Sequence, residues 1–241
     1  MNAAQKKPLR LYELTVENGL STSPFVWRIR YALAHKGLSS EFVPLGFLEL
    51  QQTLGGRFKT VPILECGDTV MAESWDIAEY LDTAFPDTKP LFSGESERAT
   101  VRLFDMWFSV EVMKRMFGIY VLDIHNSARP VDRPYFRSSR ESRFFKGVTL
   151  EAVTADRAAK LPELRNALTP LRLHLKRFPF LGGSAPNYAD YIALGAFQWI
   201  SAVSSLPMLA ADDPLRPYID RGFDLYGGIG RNPRLQPLFE N

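Results

Sequence analysis

The chain changes character at residues 87–94, where the sequence DTKPLFSG has the proline, glycine and serine content of a linker. Before this segment, short runs of strand-forming residues alternate with helical patterns. After it, apolar residues recur at helical spacing. We therefore predict an α/β unit over residues 1–86, a linker over 87–95 and an all-helical unit over 96–241.

The α/β unit has the predicted element order β-α-β-β-β-α. Its strand patterns cover residues 9–16, 41–45, 61–66 and 69–72. The last two strands flank Gly67-Asp68, which predicts a hairpin. Helices are predicted from the Ser23 cap to Gly37 and over residues 74–85, and a loop with Gly55-Gly56 separates the second and third strands.

The helical unit contains four stretches with the apolar spacing of packed helices. They cover residues 95–121, 150–177, 187–203 and 214–226. The second stretch is expected to form one or two helices, because prolines start or interrupt it. Between the first two stretches, residues 129–143 carry five arginines, which form either a solvated face or a patch that attracts anionic ligands.

The composition argues against several classes of protein. The 29 Lys and Arg residues nearly balance the 27 Asp and Glu residues, so a dedicated nucleic-acid binder is not expected. The single cysteine, Cys66, lies in a predicted core strand, where an inert thiol is expected. His35, His125 and His174 lack paired spacing, so no metal site is expected. No apolar stretch has the length of a signal peptide or a membrane span, and we expect a cytoplasmic protein without a membrane partner.

Ser23-Pro24 follows the first predicted strand and starts a helix. Serine is a leading N-cap, and proline is favoured at the first helical position. A hydroxyl at a helix N-terminus also suits a bound thiolate, because the free amides and the helix dipole favour negative charge. The pair alone is either a plain cap or an anion site, and Ser21 and Thr22 are neighbouring hydroxyls that could take the role.

Two further positions have the same double interpretation. Val61-Pro62 is either an edge-strand proline or, with a cis bond, a turn that points the Val61 backbone at a peptide-like ligand. Glu73-Ser74 is either a simple helix cap or a set of backbone donors beside an acid that could hold an ammonium group. In a β-α-β-β-β-α sheet, these positions and Ser23 converge on one side.

Together these segments resemble the glutathione transferase superfamily. The similarity lies in SPFVWRIRYALAHKG (residues 23–37), ESWDIAEYLD (73–82) and DDPLRPYIDRGFDLYGGIGRNP (212–233). Within the superfamily, these segments resemble the bacterial glutathione-dependent lignin β-aryl etherases and the fungal etherase-like transferases. The resemblance implies an α/β thioredoxin-like N-terminal domain followed by an all-α C-terminal domain. Asn187–Asp190 resembles the capping box of the family's helical domain, with Asn where Ser or Thr is usual.

The resemblance also implies how glutathione is bound at its sulfur. Ser23 would hold the sulfur as the catalytic hydroxyl, with Ser21 as an assistant. The backbone of Val61, before Pro62, would pair with the cysteinyl part of glutathione.

The two ends of glutathione would be bound by other residues. Glu73 and Ser74 would bind the γ-glutamyl end. The family often places Lys or Arg directly before the pairing valine, to meet the glycine carboxylate. Thr60 stands there in this chain, so Lys59, one residue earlier, is the candidate.

The activity that the resemblance implies is a substitution with glutathione as cosubstrate. The glutathione thiolate would displace a phenol from an aryl ether ketone, a small aromatic electrophile of lignin type. Two alternatives stay open: a general conjugating transferase for detoxification, and a protein of this fold that binds aromatic ligands with little turnover. The family also implies a homodimer.

Overall fold

A four-stranded mixed sheet lies in the first part of the chain, and the computed structural model describes residues 8–240. The strands are β1 (Leu9–Leu14), β2 (Glu41–Leu45), β3 (Ile63–Cys66) and β4 (Thr69–Ala72). They lie in the order β2-β1-β3-β4, with β1 and β2 parallel and the other two pairs antiparallel. The predicted hairpin between β3 and β4 is confirmed. β3 begins at Ile63 and not at Val61 as predicted, because Pro62 has no N–H to donate to the ladder.

Three helices accompany the sheet: α1 (Pro24–His35), α2 (Phe47–Gln52) and α3 (Ser74–Ala84). The prediction of a plain loop between β2 and β3 is wrong, since α2 and a 3₁₀ turn (Thr53–Gly56) occupy it. Helix α2 is too short to show a helical period. Its start is stabilised by the Glu49 carboxylate, which accepts a hydrogen bond from the Gly46 amide at 2.6 Å, and by the burial of Phe47.

The rest of the chain is helical, and the predicted fold class is confirmed. The helices are α4 (Glu95–Phe108), α5 (Lys114–Ser127), α6 (Arg133–Arg143), α7 (Leu150–Thr154), α8 (Arg157–Ala167), α9 (Thr169–Leu175), α10 (Tyr188–Val203) and α11 (Arg216–Gly228). A π-helical turn, Ser109–Met113, joins α4 to α5, so the first predicted helix continues past 121. Residues 150–177 form three helices, whereas one or two were predicted. The division into domains at residues 86 and 95 stays a prediction.

Helix α10 is the centre of the helical part, since all of its residues are buried. The predicted capping box at its start is confirmed: Asn187 accepts from the Ala189 amide at 2.9 Å, and Asp190 accepts from the Asn187 amide at 3.0 Å. The helix packs closely on α1, which carries the start of the candidate site. Among residues 8–240, no helix combines the length and the apolar composition needed to cross a membrane.

Candidate functional site

A cavity of about 600 Å³ opens where the sheet-bearing part meets the helical part. Six of the seven residues predicted from the sequence line it: Ser23, Lys59, Val61, Pro62, Glu73 and Ser74. They come from the start of α1, the segment before β3 and the start of α3, so the expected convergence on one side of the sheet is observed.

The start of α1 presents a hydroxyl to this cavity. Ser23 caps the helix, and its Oγ accepts a hydrogen bond from the Val26 amide at 3.3 Å. This bond uses a lone pair of the oxygen and leaves the O–H free to donate. Because the helix dipole also favours negative charge at this end, the geometry suits a bound thiolate.

The two preceding hydroxyls have different surroundings. Thr22 lines the cavity, and its Oγ1 is buried without a hydrogen-bond partner among residues 8–240. Ser21 does not line the cavity, although its Oγ is likewise buried and unpartnered in the described chain. The Ser21 carbonyl is occupied, since it accepts a hydrogen bond from Nε1 of Trp27 at 3.2 Å. Thr22 is therefore better placed than Ser21 to act beside Ser23.

The segment before β3 contributes backbone to the same cavity. The Val61-Pro62 peptide bond is cis. Val61 lines the cavity and precedes the β3 ladder, which begins at Ile63. The amide and carbonyl of Val61 are therefore not used in pairing the strands. Lys59 also lines the cavity, and its Nζ donates to the Gln51 carbonyl at 3.0 Å.

Glu73 and Ser74 form the third part of this wall. Glu73 is exposed and has a φ of 70°, a left-handed conformation that is unfavourable for a residue other than glycine. Such conformations concentrate at functional sites. Ser74 is buried, and its carbonyl accepts a hydrogen bond from the Tyr188 hydroxyl at 2.7 Å, which ties the start of α3 to α10.

A second part of the lining, called the aromatic wall below, comes largely from the helical part. Its aromatic residues are Phe25, Phe47, Phe117, Tyr135, Phe136, Phe144 and Trp199. The π-helical turn contributes Ser109 and Met113 to the same wall. π-helical turns are often found at functional sites. The only sequence signal for this wall was the aromatic content of 12%, because its aromatic residues come from α1, α2, α5, α6, the residue after α6, and α10.

Two family models match the chain. The glutathione S-transferase N-terminal domain matches residues 22–84, and the glutathione S-transferase C-terminal domain matches residues 99–206. The first match contains the start of α1, the segment before β3 and the start of α3. The chain belongs to the glutathione transferase superfamily.

A plant protein and a fungal structure are among the relatives of this glutathione transferase. Glutathione S-transferase Z1 of Arabidopsis thaliana is 26% identical over 208 residues, which are 78% of this chain and 89% of that protein. The crystal structure of glutathione transferase GSTFuA2 from Phanerochaete chrysosporium is 27% identical, with a TM-score of 0.72, and the match covers 82% of this chain and 86% of that one.

A further solved structure has the same fold at lower identity. It is a glutathione S-transferase of Ceriporiopsis subvermispora in complex with glutathione, 19% identical, with a TM-score of 0.77. The match covers 94% of this chain and 99% of that one. This match shows the fold, whereas the two family models show the superfamily that was predicted from the sequence.

Proposed function

We propose that this glutathione transferase uses glutathione as its cosubstrate and cleaves aryl ether ketones. The observation that carries the proposal is the meeting of two walls in one cavity. One wall holds six residues predicted to bind glutathione, and the other is aromatic. The fungal relative solved with glutathione supports the choice of cosubstrate.

Ser23 is the proposed partner of the glutathione sulfur. Its Oγ–H would donate to the thiolate while its lone pair accepts from the Val26 amide. A free thiol has a pKa near ~8.5, and each unit by which that pKa is lowered corresponds to ~1.4 kcal/mol. A lowering of one or two units makes the thiolate abundant at neutral pH.

In the proposed reaction, the thiolate attacks the carbon that carries the aryloxy group, next to an activating carbonyl. A carbon–sulfur bond forms as the carbon–oxygen bond breaks, and the electron pair leaves with the phenolate, which takes up a proton. The products are a glutathione thioether and a phenol. The chain itself forms no covalent bond, and its contribution is to position the reactants and stabilise charge.

The proposal includes a homodimer, as the family implies. Leu103, Met106 and Val110 are exposed on one face of α4 and the π-helical turn, with 69%, 58% and 59% of their surfaces accessible. An apolar stripe of this kind is typical of a surface that packs against another chain.

The test is phenol release from a fluorogenic β-aryl ether ketone, with and without glutathione. We expect release to require glutathione. In Ser23→Ala, kcat should fall about 10- to 100-fold, because one hydrogen bond to a charged group is lost. KM for glutathione should stay within about twofold. Thr149→Ala is the matched control, because Thr149 caps α7 in the same way, with its side chain accepting from the Ala152 amide at 3.3 Å. Both variants lose a cap worth about 1 kcal/mol, but only Ser23→Ala should lose turnover.

Other outcomes would change the assignment. Unchanged turnover in Ser23→Ala would move the role to Thr22 or Ser21. No phenol release, with glutathione still bound in calorimetry, would contradict the etherase activity. Conjugation of unrelated electrophiles would then indicate a general transferase, and micromolar binding of aromatic compounds without turnover would indicate a binding protein.

A further inference from the structure

Three cationic side chains line the aromatic wall of the cavity: Lys114, Arg140 and Arg143. Among residues 8–240, no carboxylate oxygen lies within 4.0 Å of any of their charged nitrogens. Glu73, at the start of α3, is the one acidic residue among those that line the cavity. The aromatic wall therefore carries positive charge that the described chain does not balance locally.

Neighbouring arginines on the same helices are balanced. Arg115 lies next to Lys114 and bridges to Glu111 and Glu163 at 2.9 and 3.0 Å. Arg137 lies one helical turn before Arg140 and bridges to Glu141 and Glu151 at 2.9 and 2.7 Å.

The arginine-rich segment, residues 129–143, therefore has two kinds of arginine. Arg129, Arg133 and Arg137 are paired with carboxylates, whereas Arg140 and Arg143 face the cavity without such a partner among the described residues. The interpretation as a patch that attracts anionic ligands stays a prediction, and it concerns Arg140 and Arg143.

Arg140 is the most enclosed of the three cavity cations. Its guanidinium carbon lies 4.5 Å from the ring centre of Phe136 and 5.6 Å from that of Phe47. Nη1 donates to the Ser139 hydroxyl at 2.9 Å, the only side-chain hydrogen bond that this guanidinium makes within residues 8–240. Burial lowers the pKa of Arg140 from its ordinary value, and the charge of Arg143 acts in the same direction. A cation in such surroundings is stabilised when an anion is placed beside it.

We propose that the acceptor substrate is an aromatic carboxylate, whose ring packs on the aromatic wall while its carboxylate pairs with Arg140. Lys114 and Arg143 are exposed at the same wall and add to the positive potential there. Planar guanidinium and carboxylate groups form two parallel hydrogen bonds, which favours Arg140 as the principal partner. This inference rests on the proposed function only in requiring transfer of glutathione to an acceptor.

Glutathione has carboxylates of its own, and its glycine end is the competing partner for Arg140. Lys59 supplies a cation on the wall of Ser23, Val61 and Glu73, whereas Arg140 belongs to the helical part with the aromatic residues. We therefore assign Arg140 to the acceptor and Lys59 to glutathione.

The test uses 4-chloro-3-nitrobenzoate and its methyl ester, which differ in charge at one position. Glutathione displaces chloride from both: a carbon–sulfur bond forms, and the carbon–chlorine bond breaks with its electron pair on chloride. Each kcat/KM is divided by the uncatalysed rate with glutathione, so that intrinsic reactivity cancels. We expect this ratio to be about 10-fold or more higher for the benzoate than for the ester, because a charge-assisted, hydrogen-bonded pair with Arg140 forms only with the benzoate.

Variants identify the residue responsible. Arg140→Met should remove the preference, because kcat/KM for the benzoate should fall about 10-fold more than kcat/KM for the ester, while KM for glutathione stays the same. Arg140→Lys should restore part of the preference, and Lys114→Met should reduce it less. Arg137→Met is the matched control, because Arg137 is paired with two glutamates, and it should leave the preference intact.

Three results would overturn the inference. They are the absence of a preference in the wild-type protein, an equal loss on both acceptors in Arg140→Met, or a rise of KM for glutathione in that variant. The last result would place Arg140 at the glycine carboxylate. Failure of ether cleavage does not affect this assay, which needs no ether. If neither halide reacts, calorimetry with the two thioether products measures the same preference without turnover, and equal affinities would contradict it.

Discussion

Three consecutive hydroxyl side chains, Ser21 to Ser23, precede α1, and their hydrogen bonds differ. Ser23 is satisfied as an acceptor by the Val26 amide. Ser21 and Thr22 bury hydroxyl oxygens that have no partner within the described chain. An unpaired buried hydroxyl lowers the stability of the fold. A substitution that removes it therefore tests whether the hydroxyl takes part in catalysis.

Thr22→Val separates the effect of the Thr22 hydroxyl on stability from its effect on catalysis. Valine has nearly the same shape and lacks the hydroxyl, so the free energy of unfolding should stay constant or rise by up to about 1 kcal/mol. With Ser23 as the thiolate partner, kcat should change less than about threefold. Denaturant unfolding and steady-state kinetics measure both quantities. A fall in kcat beyond about 10-fold would instead assign the thiolate to Thr22.

Helices α1 and α10 approach each other closely at Gly195. A Cβ added at Gly195 in α10 would lie 2.5 Å from the carbonyl oxygen of Pro24, the first residue of α1. The absence of a side chain at this position therefore allows α1 to begin where Ser23 reaches the cavity. Backbone atoms cannot move aside as a flexible side chain can.

Gly195→Ala should therefore separate the two helices at the functional end of α1. Overpacking of this kind costs about 1–3 kcal/mol, and displacement of Ser23 should lower kcat by about 10-fold. Gly118→Ala in α5 is the control, since a Cβ there meets nothing within 4 Å. It should raise the free energy of unfolding by about 0.5–1 kcal/mol and leave kcat unchanged. Equal effects of the two substitutions on kcat and on the free energy of unfolding would show that the α1–α10 contact does not determine the position of Ser23.

Across the whole molecule, one polar cluster joins segments that are far apart in the sequence. His35 Nε2 lies 3.0 Å from the Pro90 carbonyl, which can only accept, so Nε2 carries the proton. Nδ1 then accepts from Tyr191, whose hydroxyl lies 2.5 Å away, and that hydroxyl lies 2.5 Å from the one of Tyr226. The cluster connects α1, the segment between α3 and α4, α10 and α11, and it requires a neutral imidazole.

This requirement predicts a pH dependence of stability. Burial, followed by the charge of Lys89, lowers the pKa of His35 in the folded protein from its ordinary value of 6.5. The unfolded chain therefore binds this proton more readily, and the free energy of unfolding should fall as the pH drops below about 6.5. His35→Gln keeps an amide donor for Pro90 without the titration, so its stability should fall less over the same range. Denaturant unfolding of both proteins between pH 8 and pH 5 measures the difference.

The titration of a second buried group, Asp190, changes stability with pH in the opposite direction. Burial raises the pKa of Asp190 to about 6, so its contribution to stability decreases as the pH rises from about 4 to about 6. Because Asp190 is present in both proteins, this effect cancels in the comparison. Parallel curves for wild type and His35→Gln would contradict the role assigned to His35.

Local signals account for the parts of this protein that were predicted from the sequence. The caps at Ser23 and Asn187 depend on hydrogen bonds within three residues, and the hairpin depends on Gly67-Asp68 between paired strands. These signals, with the change of pattern at residues 87–94, were enough to predict the order of the elements and the two kinds of unit. The superfamily, and with it the glutathione-binding role of the wall that contains Ser23, followed from the resemblance of residues 23–37, 73–82 and 212–233 to glutathione transferases.

The aromatic and cationic wall could not be predicted in the same way. Its side chains come from α1, α2, the π-helical turn, α5, α6, the residue after α6, and α10. Each helical pattern shows which residues are apolar without showing what they face. Arg137 and Arg140 show why the sequence does not identify the partner of a side chain. They are three residues apart, but Arg137 is paired with two glutamates and Arg140 lines the cavity. Packing of distant segments assigns these partners, so the character of the acceptor pocket is a property of the tertiary structure.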